Sequence, residues 1–329
     1  MKKALMMLLV ALLVVGLFVG CKPQEKPVEK VKIALILPSG RDDMAWSQGM
    51  YEGVMDVQKE LGIDKIEVSV TENMPNPVDA GAALRDYANK GYNIIIAHGA
   101  QYQNPVFEVA KEFPLISFAY GTAFETGDNI FTYDPQAQDG AYLFGMLAAK
   151  LTKTKIVGIV GPVKAGDAIK YNYGFIQGVN ATDTSIKVLE SYTGSFGDTV
   201  KAKEMAIAHI EAGADILTGT AQQSVGAIQA VSERHVYWFS SDMDQSSLAP
   251  DSIIASQAYY WKDVVVYMID SRNKGKLGGE TIVLDFGNGR IKLVFNPKLK
   301  NLITPEIEKL FNDTFEKIKN GEIKVKLPE

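Results

Sequence analysis

The sequence predicts an α/β protein of two lobes joined by a hinge, each lobe built on a parallel sheet. Three observations carry this expectation. From residue 31 onward, short β-branched runs alternate with longer amphipathic segments, the pattern of parallel strands covered by helices on both faces. One set is complete by residue 151, and the pattern then restarts. Finally, roughly 300 residues follow the first 30, too many for one ordinary core and suited to two domains of about 150 each.

In chain order, the first set reads as strands at 31–37, 66–70, 93–97, 115–119 and 129–133. Helices at 45–61, 77–90 and 104–112 separate the first four strands, and a long helix at 135–151 closes the set. The second set has strands at 155–160, 186–191, 215–218 and 236–240, with helices at 170–180, 199–212 and 222–233. The tail reads as a strand at 252–256, a helix at 259–272, short strands at 281–286 and 291–295, and an amphipathic helix at 305–320. These pieces are too few for a third core, so the chain is expected to return and complete both lobes. The expected division is 31–134 plus about 257–290 for the first lobe, and 135–256 plus about 291–329 for the second. A cleft between hinged lobes is a favoured place for a small molecule. In open α/β sheets the ligand lies beyond the carboxyl ends of the strands, which singles out the loops that follow strands.

Residues 1–20 have the order of a secretory signal: Lys2 and Lys3, then an uncharged apolar run from Ala4 to Val19, then Gly20. The run is short for a membrane-spanning helix. Cys21 comes next and is the single cysteine of the chain, so it has no partner for an internal disulfide. A lipoprotein signal accounts for it: cleavage before Cys21, then acylation of its thiol and new amino terminus. An uncleaved apolar anchor is the alternative, and in both cases the protein works outside the cytoplasm, tethered to a membrane. The segment that ends the 21–30 stretch, Lys-Pro-Gln-Glu-Lys-Pro-Val-Glu-Lys, is charged and nearly free of apolar groups. It is expected to be a flexible leash.

Charge and reactive groups exclude several functions. The 34 basic and 39 acidic residues give a formal charge of −5, which becomes −7 when Lys2 and Lys3 leave with the signal. No basic stripe with interleaved aromatics is present, so nucleic acid is not the expected partner. The three histidines, His98, His209 and His235, do not form a zinc-protease pair, and no Gly-x-Ser-x-Gly elbow occurs. The closest approach to a phosphate loop, Gly161-Pro-Val-Lys-Ala-Gly166, continues into Asp167-Ala168; a carboxylate there would repel phosphate. The chain is therefore expected to be a binding protein without a cofactor or metal, not an enzyme.

Aromatic and acidic residues gather at strand ends. Asp42 and Asp43 follow the first strand and either cap the next helix or face the cleft, where Trp46 opens that helix. Tyr102, Tyr120 and Phe196 follow later strands, Asp242 follows the last strand of the second set, and Trp261-Lys262 follows the strand at 252–256. Flat aromatic faces with a few carboxylates suit a planar, hydrogen-bond-donating ligand such as a purine, since one base–aromatic stack contributes about 1–3 kcal/mol and carboxylates accept from ribose hydroxyls or ring N–H groups. Filling of the interlobe interface is the other use for these aromatics.

Several segments resemble the basic membrane protein family of substrate-binding lipoproteins, which includes purine nucleoside receptors of ABC transporters. They are Asp43-Met44-Ala45-Trp46-Ser47 with Glu52-Gly53, Val109-Ala110-Lys111-Glu112-Phe113-Pro114, Gly213-Ala214-Asp215, and Asp242-Met243-Asp244 with Leu248-Ala249-Pro250. Their order and spacing span residues 31–272. The resemblance implies Rossmann-like lobes of type I periplasmic-binding-protein architecture, a monomer, and permease partners. It implies that Trp46 covers one face of a base, that Phe196 is a second cleft aromatic, and that Asp242 lies near the sugar or ring edge. Three positions depart from the family pattern: Asp42-Asp43 stands where Asn-Asp is common, Tyr120 where an acid sometimes stands, and Lys170 where Arg is usual. A purine base, a nucleoside or another planar heterocycle fits these residues. Two other readings stay open: a sensor of the same fold that reports to a signalling protein, and a cleft hydrolase acting on nucleosides.

Overall fold

The computed structural model describes residues 30–327. The expected signal at 1–20, the lipidation site Cys21 and the leash up to residue 29 lie outside the described residues.

Two six-stranded sheets organise the chain. The first contains β1 (Val31–Ile36), β2 (Ile66–Thr71), β3 (Ile94–Ala97), β4 (Ser117–Gly121), β5 (Ile130–Pro135) and β11 (Glu280–Leu284). Its spatial order is β11-β5-β4-β3-β1-β2, and every pairing is parallel. The second contains β6 (Ile156–Gly161), β7 (Lys187–Tyr192), β8 (Ile216–Gly219), β9 (Tyr237–Ser240), β10 (Ile253–Tyr259) and β12 (Ile291–Phe295). It runs β12-β10-β9-β8-β6-β7 and is parallel except for the antiparallel edge strand β12. Central strands such as β3 and β8 are buried along their whole length, as expected of sheets covered on both faces. This is the α/β, two-lobed class that the sequence predicts.

Nine helices cover the sheets: α1 (Trp46–Leu61), α2 (Pro77–Asn89), α3 (Gln103–Glu112), α4 (Ala137–Leu151), α5 (Gly166–Thr182), α6 (Thr199–Glu211), α7 (Ser224–Glu233), α8 (Trp261–Asn273) and α9 (Pro305–Lys319), counted among the described residues. Local chemistry starts several of them. Asn76 caps α2 by accepting from Val78 N, with Pro77 in the first turn, where its missing N–H costs nothing. Asp198 caps α6 and Thr304 caps α9 in the same way. Helices α4 and α5 meet backbone to backbone. A Cβ at Gly178 would stand 1.9 Å from Tyr142 O, and one at Gly145 would stand 2.1 Å from Phe175 O. Glycine is required at both positions.

The chain passes from one lobe to the other after β5, after β10 and again between β11 and β12. Helix α8 packs on α1, against the first sheet, and α9 packs on α4. Some boundaries shift from the sequence expectation. Strand β4 starts at Ser117 because residues 113–116 form a turn, Ile116 N donating to Phe113 O at 3.1 Å, with Leu115 76 % exposed. Helix α5 starts at Gly166, four residues before the expected 170, where the glycine takes a φ of +58°.

Candidate ligand-binding cleft

In both sheets the strand order reverses beside the first strand of the set, between β1 and β3 and between β6 and β8. Loops leaving β1, β3 and β4 of the first sheet and β6, β7, β8 and β9 of the second, at and beside these switch points, enclose a cavity of about 380 Å³. Pro38 and Trp46 come from the loop after β1, Gly99 to Gln101 from the loop after β3, and Gly121 and Thr122 from the end of β4. From the second lobe come Ala165 to Ala168, Phe196, Thr220 to Gln222, and Asp242. The placement follows the rule for open α/β sheets.

The first-lobe wall is built around Trp46. Its indole lies flat on the imidazole of His98, with centroids 4.2 Å apart and planes 9° apart, and meets Trp261 edge-on at 5.1 Å. Trp46 Nε1 donates to His98 O at 3.0 Å. His98 Nε2 lies 3.1 Å from Trp46 O, which can only accept, so this nitrogen carries the proton. Nδ1 then accepts from Tyr133 Oη at 2.7 Å. Burial pushes the His98 pKa down to about 3, against the opposing hydrogen bond that Nε2 donates to Trp46 O, so the ring is neutral. One face of the indole is therefore backed by a satisfied histidine, and the residue remains 9 % exposed on the cavity side.

Asp43 acts as the cap of α1. Its carboxylate accepts from Ala45 N, Ser47 N and Gln48 N at 3.0–3.1 Å and from Ser39 Oγ. Asp42 is exposed and does not line the cavity.

The second-lobe wall is acidic. Asp242 is 1 % exposed, takes a φ of +74° and accepts from Ala221 N at 3.0 Å. Burial, reinforced by the charge of Asp167, raises its pKa well above the usual carboxylate range. Asp167, in the first turn of α5, is held up at about 6, again chiefly by burial, with Lys170 pulling the other way. Thr220 is buried and its hydroxyl has no protein partner. Phe196 lines the same cavity and is 43 % exposed, an aromatic side chain left open where Trp46 is packed. Two hydrogen bonds bridge the lobes near the cavity: Gln222 Nε2 donates to Ser39 Oγ at 3.1 Å and Gln245 Nε2 to Met44 O at 2.7 Å.

Of the ten ligand-site residues expected from sequence, Trp46, Phe196 and Asp242 line this cavity. The others have different surroundings. Tyr102 is buried and donates to Met74 O at 2.7 Å, and burial raises its pKa. Tyr120 is buried and donates to Glu125 O at 2.8 Å, its pKa pushed up to about 12 by burial. Trp261 stands behind Trp46 as a packing partner. Lys262 forms an ion pair with Glu60 on the surface of α1 and α8. Lys170 reaches across the lobes to Asp134 at the end of β5, and also donates to Pro135 O at 3.3 Å. Sequence reasoning did not select Asp167, Thr220, Gln101, Gln222 or Thr122 for the cavity. Their common signal is position in a segment that connects the end of a strand to the next helix or strand, or at that helix's first turn, the rule that did select Trp46 and Asp242. Among the described residues, no cluster of side chains fit to hold a metal ion occurs.

Residues 30–329 match the family described as PnrA-like ABC transporter substrate-binding proteins. The chain belongs to this family. As a PnrA-like protein it is the solute-binding component of an ABC transport system and works outside the cytoplasm. It is 29 % identical to a purine-binding protein of Brucella abortus, over 76 % of this chain and 70 % of that one. It is also 25 % identical to the transcriptional activator protein Med of Bacillus subtilis, over 84 % of this chain and 86 % of the other. The crystal structure of an ABC transporter solute-binding protein from Aeropyrum pernix superposes with a TM-score of 0.80 at 21 % identity, covering 91 % of this chain and 94 % of that one. That likeness shows the type I binding-protein fold of the PnrA-like chain.

Proposed function

We propose that this PnrA-like protein captures a purine nucleoside or purine base in the interlobe cleft and presents it to a membrane permease. The observation that carries the reading is the pairing of walls around one cavity: an indole backed by a neutral histidine on the first lobe, an open phenyl ring on the second, and a buried carboxylate beside them. Trp46 and Phe196 take the two faces of the ring, each stack contributing about 1–3 kcal/mol. Asp242 accepts from a ring N–H or ribose hydroxyl. Hinge closure around the ligand excludes water, which strengthens those hydrogen bonds. The name of the Brucella relative supports a purine. Acylation of Cys21 holds the protein at the membrane, and it works as a monomer.

Calorimetry against nucleosides, free bases and sugars tests the reading. Purine binding is expected, and tight sugar binding with no purine heat overturns it. Mass spectrometry of small molecules released from the denatured protein is the independent check. Cys21→Ser is expected to release the protein from membranes with ligand affinity unchanged. Similarity to Med favours one second reading, a receptor that reports its ligand to a regulatory partner; neighbouring genes for an ATPase and permeases would decide against it.

A further inference from the structure

The cavity contains a second carboxylate that the capture mechanism above does not use. Asp167 stands in the first turn of α5 and lines the cavity with Asp242 and the unpartnered hydroxyl of Thr220. A bare helix N-terminus at this point would favour an anion, because its free N–H groups and the helix dipole both present positive charge. Asp167 occupies that position with a negative group of its own. No Lys, Arg or His side chain is among the residues lining the cavity. Lys170, one turn along α5, is engaged by Asp134 from β5 and by Pro135 O.

We propose that Asp167 is a specificity-determining residue of the cleft: its carboxylate selects ligands that turn N–H or O–H donors toward the start of α5 and rejects the same ligands once they are phosphorylated. The proposal rests on the purine reading only for its choice of probes, since repulsion between a phosphate and Asp167 does not depend on the ring that carries the phosphate. The titratable and charged groups facing this carboxylate are Lys170 on its own helix, Asp134 of β5, Asp242 after β9 and Tyr259 of β10, with Asp43 in turn facing Asp242. Lys170 alone among them is cationic, and it opposes burial without cancelling it: the Asp167 carboxyl is held at about 6. Of the two carboxylates that line the cavity, Asp167 is the more exposed and so the one placed to meet a ligand's charged group.

The test is calorimetry on the full chain with guanosine, inosine, adenosine and ribose, each beside its 5′-phosphate, for the wild type and Asp167→Asn. The wild type is expected to bind the uncharged member of a pair at least about tenfold more tightly than the phosphorylated one, as like charges in a poorly solvated cleft require. Asp167→Asn should narrow that ratio by about tenfold. Wild-type affinity for the uncharged member should also weaken by up to about tenfold from about pH 8 to about pH 5, as Asp167 takes up a proton, and Asp167→Asn should flatten this slope. The pH series on the wild type needs no variant to fold. Equal binding of both members of a pair, or a ratio and pH slope untouched by Asp167→Asn, overturns the proposal and leaves the purine reading standing. Ribose binding without purine binding, with the same response to Asp167→Asn, overturns the purine reading and supports the proposal. Absence of binding by every compound overturns both.

Discussion

The two walls of the cleft are made differently. On the first lobe, Trp46, His98, Tyr133 and Trp261 form one aromatic block, which Tyr259 of β10 joins from the second sheet, and His98 spends both ring nitrogens inside it. On the second lobe, Phe196 is open, Thr220 has an idle hydroxyl, and two carboxylates stand in the same small space. The first wall is organised before any ligand arrives; the second holds polar capacity that only a ligand or solvent can use. A substitution on the first wall should therefore disturb folding and binding together, while one at the open Phe196 of the second should disturb binding alone.

Trp46→Ala gives the largest expected effect. Loss of a packed indole lowers folding stability by about 3–5 kcal/mol and removes about 1–3 kcal/mol of stacking; urea melts and calorimetry read the two parts. A variant that lost affinity with no loss of stability would break the contrast. His98→Leu comes next. It leaves the Tyr133 hydroxyl buried without its acceptor, at about 1–3 kcal/mol of stability. It also removes a pH dependence. The folded protein holds His98 at about 3, against an ordinary value of 6.5, so the unfolded chain binds a proton first. The stability linked to this histidine is complete above 6.5 and declines as pH falls toward 3. The difference between wild type and His98→Leu should shrink over that range in melts followed at several pH values.

Phe196→Ala should lower purine affinity by about 1–3 kcal/mol and leave stability within about 0.5 kcal/mol, as expected of an exposed side chain. Lys262→Ala is the smallest: its partner Glu60 is on the surface, so stability should move by less than about 1 kcal/mol and affinity not at all. A clear loss of affinity in Lys262→Ala would place that side chain in the ligand's reach, contrary to its position here.

The same contrast explains what was legible in the sequence. Strand and helix alternation is a property of local pattern, and it yielded both sheets with boundaries off by a few residues where a turn intervened, as at Leu115, or where a glycine opened a helix early, as at Gly166. The rule that ligands sit beyond strand ends selected Trp46, Phe196 and Asp242. It says which loops matter and not which way a side chain in them turns. Tyr102 and Tyr120 sit at the right strand ends, yet each found a carbonyl in its own lobe, Met74 O and Glu125 O. Lys170 follows a strand too, but its long stem reaches Asp134 in the other lobe. The near phosphate loop at 161–166 fails as one because Asp167 repels phosphate. That repulsion is the property the cleft is inferred to use.

The chain crosses between its lobes three times. A single strand would leave one lobe free to swivel and twist on the other, and two would still permit sliding along the line joining them. Three connections restrict swivelling and twisting of one lobe on the other more than one or two would. On the proposed capture mechanism, a permease that touches both lobes would meet a restricted set of lobe arrangements, much as a latch meets a door on its hinges.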